Sequence, residues 1–253
     1  MDTWTIAGTV FGCTFGGALL GMCLRRILPD SHMSSDSKDV VKMGTGLLAT
    51  LSALVLGLLV ASAKSSFDAQ RTGFQQLSTN LILLDRQLQF YGPETKVIRE
   101  HLRQAVLLLL ESRWPANSSR GGGLDGPEIT ERGGALFAAI RDLAPKTDAQ
   151  RSIQSLALQI SSDLARTRWQ LNQGDESSIP TPFLVVLVFW LTVLFITFGL
   201  FSPGNATVIS VHFICALSVA GALFLIVELD RPFNGLIQIS SKPLRDALGQ
   251  LGQ

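Results

Sequence analysis

The amino-acid sequence predicts an all-α membrane protein with four transmembrane helices, arranged as two hairpins that flank a soluble helical bundle. From Ser177 to Val227 the chain has no Asp, Glu, Lys or Arg, and this run of about 50 residues is roughly twice what one helix needs to cross a bilayer. Two shorter uncharged stretches lie near the amino terminus, and a charged, leucine-bearing segment separates them from the long run. These three observations carry the prediction.

The first hairpin is predicted at residues 1–63. Its spans, at about 3–24 and 43–63, are uncharged and about 20 residues long, which is the length of one crossing. The link between them begins with Arg25-Arg26 and is expected at the interface, because several of its charges would be unpaired in hydrocarbon. No Lys or Arg precedes the first span and a second span follows, so the first span is expected to be retained rather than cleaved as a signal peptide.

Residues 64–178 are predicted to form the soluble helical bundle, because leucines recur at intervals of three and four residues among Arg, Gln, Glu and Asp. The first helix of the bundle is expected to continue the second span without a break until Gly92-Pro93 stops it. The apolar face of this helix is formed by Phe67, Phe74, Leu77, Leu81 and Leu84.

Three further helices are expected in the bundle. The second covers about residues 94–113 and ends at Trp114-Pro115, because proline cannot continue a helix. An exposed loop with three consecutive glycines follows at 117–127. The third helix covers about 128–143, and the fourth begins at a cap on Thr147 or Asp148 and reaches about residue 171.

The second hairpin is predicted at residues 179–228, with spans at about 182–201 and 207–227. Its turn is Ser202-Pro203-Gly204-Asn205, because proline and glycine break a helix and a short polar link suits the interface. Residues 229–253 form the carboxyl-terminal tail.

Composition and motifs exclude several classes of function. The formal net charge is only +1, and no basic run is interleaved with aromatic residues, so nucleic-acid binding is not expected. No spacing of His, Cys and carboxylates suits zinc, and Gly121-Gly122-Gly123 lacks the Lys-Ser/Thr pair of a phosphate-binding loop. We therefore expect no enzymatic activity, no metal and no cofactor.

The second span carries a row of small residues on one face, which we call the small-residue stripe. Its members recur at steps of three and four residues, so they lie on one side of a helix. A small, hydroxyl-bearing face suits a narrow pore shared among subunits, and it equally suits close helix packing in a membrane. The stripe consists of Gly46, Thr50, Ala53, Gly57, Ala61 and Lys64.

The first span carries glycines in two neighbouring rows, and here close helix packing is the favoured interpretation. Gly8, Gly12 and Gly16 form one row, and Gly17 and Gly21 form the other.

His212 is a titratable residue one short turn into the fourth span. Such a residue is by default a functional candidate inside a membrane. The structural alternative is an interfacial histidine bonded to a backbone carbonyl, and the sequence leaves both interpretations open.

A charged cluster closes the fourth span. Glu228, Asp230 and Arg231 stand next to Pro232, which prevents the helix from running on. Arginine can hold a carboxylate in bidentate geometry, so an ion-paired turn at the membrane edge is predicted. The alternative is a plain cluster of charges at the membrane boundary. Of the two interpretations we favour the ion-paired turn, with a structural role as a lock on the base of the soluble bundle.

The arrangement resembles the bacterial bestrophin-like membrane proteins of unassigned function over almost the whole chain. The most specific segment is Leu229-Asp230-Arg231-Pro232-Phe233-Asn234-Gly235, and Leu24-Arg25-Arg26-Ile27-Leu28-Pro29 and Arg113-Trp114-Pro115 support it. The resemblance implies kinship with bestrophins, which are pentameric anion channels with a pore lined by the second span. The second span of this chain lacks the close set of bulky aromatics that forms the bestrophin neck.

The leading hypothesis is therefore a homo-oligomeric ion channel, with anions as the ions that the resemblance implies, and a conducting path along the small-residue stripe. Four spans from one chain are too few to enclose an aqueous lumen, so self-association in the lipid bilayer is expected. The second hypothesis is a non-conducting scaffold or sensor whose helical bundle binds a protein partner. A transporter with His212 as proton relay ranks third, because mid-span helix-breaking residues are absent.

The membrane orientation receives opposing signals. The first loop is basic, which by the positive-inside rule places it in the cytoplasm and the bundle outside. The second hairpin has an uncharged turn and a basic carboxyl-terminal tail, which indicates the reverse. The resemblance favours a bacterial cytoplasmic membrane with the bundle on the cytoplasmic side.

Overall fold

The computed structural model describes residues 3–29, 35–114, 126–173, 179–233 and 235–252. Within these residues the protein is helical and has no strand, and four helices are long and apolar enough to cross a membrane. The prediction of an all-α protein with four spans in two hairpins around a helical insert is confirmed.

The described residues form eight α-helices. A short 3-10 turn at Pro93–Thr95 precedes the third. In chain order the helices are α1 (Thr3–Ile27), α2 (Ser35–Tyr91), α3 (Lys96–Arg113), α4 (Pro127–Arg141), α5 (Asp148–Gln173), α6 (Thr181–Phe201), α7 (Ala206–Leu229) and α8 (Lys242–Gln250).

The chain divides into two compact units. The first part of α2 belongs to one unit and the second part belongs to the other. The membrane unit contains residues 1–65 and 177–230. The soluble unit contains residues 66–176 and 231–253, so the carboxyl-terminal tail belongs to it and forms α8 there.

Helix α2 runs unbroken for 57 residues, which confirms that the second span continues into the bundle. It ends where predicted, because Gly92 has a φ of 135° that favours glycine and Pro93 cannot extend a helix. Helices α1 and α2 pass beyond the predicted limits at residues 24 and 43. The charges that mark the edge of the hydrocarbon do not end a helix, because a helix can continue into the interface.

The membrane unit has an apolar core to which all four spans contribute. Leu59 and Ala63 of α2 pack with Leu187 and Leu191 of α6 and Leu223 of α7. Helix α1 packs against α6 and α7, and its end is linked to the turn of the second hairpin by Arg25, which donates a hydrogen bond to the carbonyl of Ser202. Apolar contacts therefore join the spans within the chain, and the bond from Arg25 to Ser202 adds a polar link at the edge.

The soluble unit is built on a regular apolar face of α2. From Phe67 to Tyr91 a buried residue recurs at alternating steps of three and four. Helix α3 contributes a matching face with a spacing of three and four residues. The buried residues of these two faces are Phe67, Gln70, Phe74, Leu77, Leu81, Leu84, Leu88 and Tyr91 of α2 and Ile98, Leu102, Val106 and Leu109 of α3.

A buried ion pair joins α2 to α3 in the soluble unit. Arg99 donates to both carboxylate oxygens of Asp85, at 2.8 and 2.7 Å. The hydrogen bond from Arg99 to Asp85 raises the pKa of the guanidinium above its usual value, against the opposing effect of burial. The backbone N–H of Gly252 also lies 3.4 Å from Asp85 Oδ2, so the same carboxylate holds the carboxyl-terminal segment.

Among the described residues, side chains cap the starts of α5 and α7. The hydroxyl of Thr147 accepts from the N–H of Gln150 at 3.1 Å, so Thr147 is the cap of α5. Asn205 accepts from the N–H of Val208 at 2.9 Å and caps α7.

Most of the loop predicted at 117–127 lies outside the described residues, as do Pro115 and Asn234.

Candidate functional site

The small-residue stripe lies on the outer surface of the membrane unit. Gly46, Thr50, Ala53, Gly57, Ala61 and Lys64 are all exposed within the single chain. A Cβ added at Gly46 or Gly57 would meet no atom within 4 Å. The stripe therefore does not serve packing between helices of one subunit.

The opposite face of α2 is the one that the chain buries. Ser52, Leu59 and Ala63 are buried, and the hydroxyl of Ser52 donates to the carbonyl of Leu48 at 2.8 Å. Because the core occupies this face, the stripe is directed toward lipid, a lumen or another chain.

Exposed leucines follow the stripe along the same helix, each one residue later in the sequence. One residue is a rotation of about 100° on an α-helix, so small and bulky side chains form two separate rows. These leucines are Leu47, Leu51, Leu54 and Leu58. A lumen lined by the small row would leave the leucine row for contact with neighbouring chains or lipid.

The hydroxyl of Thr50 in the stripe and that of Thr45 beside the stripe are bonded to the helix itself. Thr50 donates to the carbonyl of Gly46 at 2.9 Å, and Thr45 donates to that of Val41 at 2.7 Å. Their oxygens keep free lone pairs, so the outer surface offers hydrogen-bond acceptors to water. Lys64, the last residue of the stripe, carries a positive charge.

His212 is buried in the membrane unit with 9% of its surface exposed. Its Nδ1 lies 2.9 Å from the carbonyl oxygen of Val208, which is the backbone bond considered as the structural alternative. Because a carbonyl can only accept, Nδ1 carries the hydrogen of this bond. Among the described residues Nε2 has no hydrogen-bond partner.

A cavity of about 540 Å³ lies between α2, α6 and α7 in the membrane unit. Its wall includes Gly46 from the stripe and His212, two features that were predicted separately. Phe195 and Phe198 supply aromatic surface, and Lys42 supplies a positive charge. No local pattern predicts that Gly46 and His212 line one cavity, because the two residues are far apart along the chain.

The glycines of the first span divide between two surroundings. A Cβ at Gly21 would lie 2.0 Å from the carbonyl oxygen of Ile196, and one at Gly17 would lie 3.1 Å from that of Thr192. This row allows α1 to approach α6 closely. A Cβ at Gly8, Gly12 or Gly16 would meet nothing within 4 Å, so that row is directed away from the chain.

The charged cluster after the fourth span begins with a buried acid. Glu228 is 2% exposed within α7, and Asp230 follows the end of that helix with its N–H bonded to the carbonyl of Ile226. Pro232 accepts from the N–H of Ile239 at 2.9 Å, which folds the next segment back on itself. The ion pairing predicted for Arg231 stays a prediction.

Two of the sequence motifs meet in an aromatic cluster of the soluble unit. The rings of Phe74, Trp114 and Phe233 stand edge to face, with centroids 5.2 to 5.8 Å apart. The guanidinium of Arg113 lies 4.4 Å from the centroid of the Phe233 ring, and Trp114 Nε1 donates to the carbonyl of Ile239 at 3.0 Å. The motifs thus have a packing role that their sequence separation concealed.

The fold defines a multipass membrane protein with a helical soluble unit, and the described residues hold no cluster of His, Cys, Asp and Glu that could bind a metal ion. The profile of the Bestrophin-like domain matches residues 12–244, so the chain belongs to the bestrophin-like family. No curated protein matches the chain. No solved structure matches it either.

Proposed function

We propose that this chain forms a homo-oligomeric ion channel whose conducting path follows the small-residue stripe of α2. The observation that carries the proposal is the outward position of the whole stripe, with open space at Gly46 and Gly57. Small side chains that pack against nothing in their own chain suit a surface shared by several copies around an axis. The kinship with bestrophins supports the same arrangement.

Charge supports anions as the permeant ions. Lys64 is exposed at one end of the stripe, and Lys42 lies near the other end, where an exposed pair with Asp39 at 3.5 Å is weak. The Thr50 oxygen presents an acceptor to water, and anions are the ions that kinship with bestrophins implies. We expect hydrated anions rather than bare ones to pass.

The remaining parts of the proposal follow from family and composition. The channel has a structural and conducting role without enzymatic activity. It lies in the cytoplasmic membrane of a bacterium, with the soluble unit on the cytoplasmic side.

Reconstitution tests the channel directly. The purified chain is measured for oligomer size by light scattering in detergent and for chloride efflux from liposomes. We expect an oligomer and chloride flux above that of protein-free liposomes. A monomer that gives no flux would contradict the proposal.

Two matched glycine variants locate the path. Gly57→Leu places a bulky side chain on the stripe and is expected to reduce chloride efflux at least tenfold. Gly221→Leu, on an exposed position of α7 with equally open space, is expected to leave efflux unchanged. Equal efflux from both variants would exclude a path along the stripe.

A non-conducting scaffold or sensor is the second candidate, and exposed apolar side chains on the soluble unit favour it. Phe90, Val97 and Trp169 are each more than half exposed. Exposed aromatic side chains such as Phe90 and Trp169 are enriched at protein interaction surfaces. This candidate predicts that Trp169→Ala weakens capture of a protein partner, and that Gly57→Leu alters no ion flux.

A further inference from the structure

The cavity between α2, α6 and α7, which we call the membrane cavity, has a wall made mostly of apolar surface. Phe195, Phe198 and Phe201 contribute aromatic rings, and Ala49 and Val211 contribute aliphatic groups. Its volume of about 540 Å³ is within the range of about 300 to 1,000 Å³ that is typical of small-molecule sites. Every lining residue belongs to the membrane unit. The membrane cavity therefore suits an apolar molecule.

His212 gives the wall of the membrane cavity a polar atom that lacks a partner. The residue is 9% exposed, and its Nδ1 is held 2.9 Å from the carbonyl oxygen of Val208 in the same helix. Nε2, the ring nitrogen further from the backbone, has no hydrogen-bond partner among the described residues. The Phe195 ring stands edge to face with the imidazole, with centroids 6.5 Å apart. A buried polar atom without a partner costs stability, so Nε2 is suited to a polar group of a bound molecule.

The other polar groups of the wall place fewer demands on a ligand. Two threonine hydroxyls each donate to the carbonyl four residues earlier, at 2.7 Å for Thr45 and 2.9 Å for Thr197. Lys42 is largely exposed and pairs with Asp39 at 3.5 Å. An exposed charge stays hydrated and gains little from a counter-charge. A ligand of the membrane cavity thus needs one hydrogen-bonding group for Nε2 and no charge.

The membrane cavity is open at the surface of the membrane unit. Among its lining residues Val211 is 52% exposed, Phe198 is 48% exposed and Cys215 is exposed. These three residues belong to α6 and α7, which are apolar and long enough to cross a bilayer. A molecule dissolved in the lipid can therefore reach the cavity.

A hydroxyl is the group that fits Nε2 in both protonation states of the ring. It donates to Nε2 of a neutral imidazole and accepts from the Nε2–H of a charged one. A carbonyl or ether oxygen can only accept, so it fits the charged ring alone. We propose that the membrane cavity binds an apolar alcohol or phenol from the bilayer. Its hydroxyl bonds to His212 Nε2, and its apolar body lies against the rings of Phe195 and Phe198.

The test uses the full chain in lipid nanodiscs and azioctanol, an octanol that carries a photoreactive diazirine. After irradiation, the labelled peptides are identified and quantified by mass spectrometry. We expect saturable labelling of α6 and α7 around the membrane cavity. Excess octanol should remove this labelling, whereas octane at the same concentration in the membrane should not. Peptides of α1 are the internal control, because no described residue of α1 lines the cavity.

Two histidine variants test the hydrogen bond. His212→Phe removes the ring nitrogens but keeps a ring in place, and it is expected to reduce the octanol-sensitive labelling at least fivefold. His101→Phe makes the same substitution at an exposed position of α3 outside the membrane cavity. It is expected to leave the labelling unchanged.

Gly46→Leu provides an independent variant in case His212→Phe does not fold. Gly46 lines the membrane cavity, and a Cβ there meets no atom within 4 Å, so leucine can occupy the cavity without a clash at its base. We expect the same loss of octanol-sensitive labelling together with an unchanged helical circular dichroism spectrum.

Three results would overturn the proposal. The first is labelling around the membrane cavity that does not saturate. The second is displacement of azioctanol by octane as effectively as by octanol. The third is a folded His212→Phe or Gly46→Leu variant that is labelled like the wild type. None of these results depends on ion conduction, so they are independent of the test of the channel.

Discussion

The two halves of α2 are made of one continuous helix but relate to the rest of the chain in opposite ways. In the soluble half, a residue is buried every three or four positions from Phe67 to Tyr91. In the membrane half, the chain buries Ser52, Leu59 and Ala63 and leaves most of the helix exposed. In the soluble half, the hydrophobic effect drives the apolar face of α2 to pack against other helices of the same chain.

The membrane half follows another rule, because lipid tails are as apolar as leucine and give no such driving force. Leucines can therefore remain on the outside, and small residues decide where backbones approach. The comparison indicates that the soluble half is organised by contacts within one chain, whereas the membrane half keeps surface for contacts outside it.

The largest effect is expected from Phe74→Ala in the soluble half. Phe74 is 1% exposed and lies against the rings of Trp114 and Phe233, so its loss should lower the free energy of unfolding by about 3 to 5 kcal/mol. Denaturant unfolding followed by circular dichroism measures this change. The matched variant Leu54→Ala in the membrane half should change it by less than about 0.5 kcal/mol. Equal losses would remove the distinction between the two halves.

Gly21→Ala is expected to have the next largest effect, and it tests the membrane rule. The added methyl group would overlap the backbone carbonyl of Ile196, so α1 and α6 must move apart at a cost of about 1 to 3 kcal/mol. Thermal unfolding in detergent measures the loss. Gly12→Ala, in the outward row of the same helix, is expected to cause none. If Gly12→Ala lowered the thermal stability instead, the outward row of glycines would be the one in close contact with another helix.

Gln70→Leu is expected to increase stability. Gln70 occupies a core position of the soluble half, and neither polar atom of its buried amide has a hydrogen-bond partner among the described residues. Replacing it with an apolar side chain of similar size should raise the free energy of unfolding by about 1 to 2 kcal/mol. The exposed neighbour Gln75→Leu serves as the control in the same denaturant titration. Destabilisation by Gln70→Leu would mean that the amide has a partner such as buried water.

Tyr91 gives the smallest but cleanest readout, because it is the only tyrosine of the chain. Burial, and then the negative charge of Glu94, raise the pKa of its phenol above 10. Tyrosinate absorbance should therefore titrate above pH 10 in the folded protein and return to about 10 on unfolding. The raised pKa contributes stability below pH 10 that is lost as the pH passes through the folded-state pKa. If Tyr91 of the folded protein instead titrates at pH 10, the end of the buried face of α2 at Tyr91 is open to water.

Much of the helical architecture could be predicted from the sequence because its signals are local. The continuity of α2 up to Gly92-Pro93, the turn at 202–205 and the cap at Thr147 each depend on residues within a few positions. The soluble face of α2 was likewise readable from its periodicity. Helix α8 was not predicted, because the helix has only nine residues and is buried by contacts with parts of the chain that are distant in the sequence.

The candidate site was less accessible to sequence analysis. The periodicity placed Gly46 and Gly57 on one face of α2, but it could not tell whether that face turns inward or outward. The same uncertainty covered the two glycine rows of α1, which the structure separates into an inward row at Gly17 and Gly21 and an outward row. Small residues support either arrangement, so only the position of neighbouring helices distinguishes them.

The sequence by itself determined that this protein crosses a membrane four times and carries a helical insert, because a bilayer requires long uncharged helices and proline and glycine mark their ends. Only the tertiary structure decided which faces are turned outward, and it alone brought Gly46 to the same cavity as His212 and Trp114 to Phe233. These relations join residues far apart in the chain, and no local pattern encodes which of several compatible helix faces will meet.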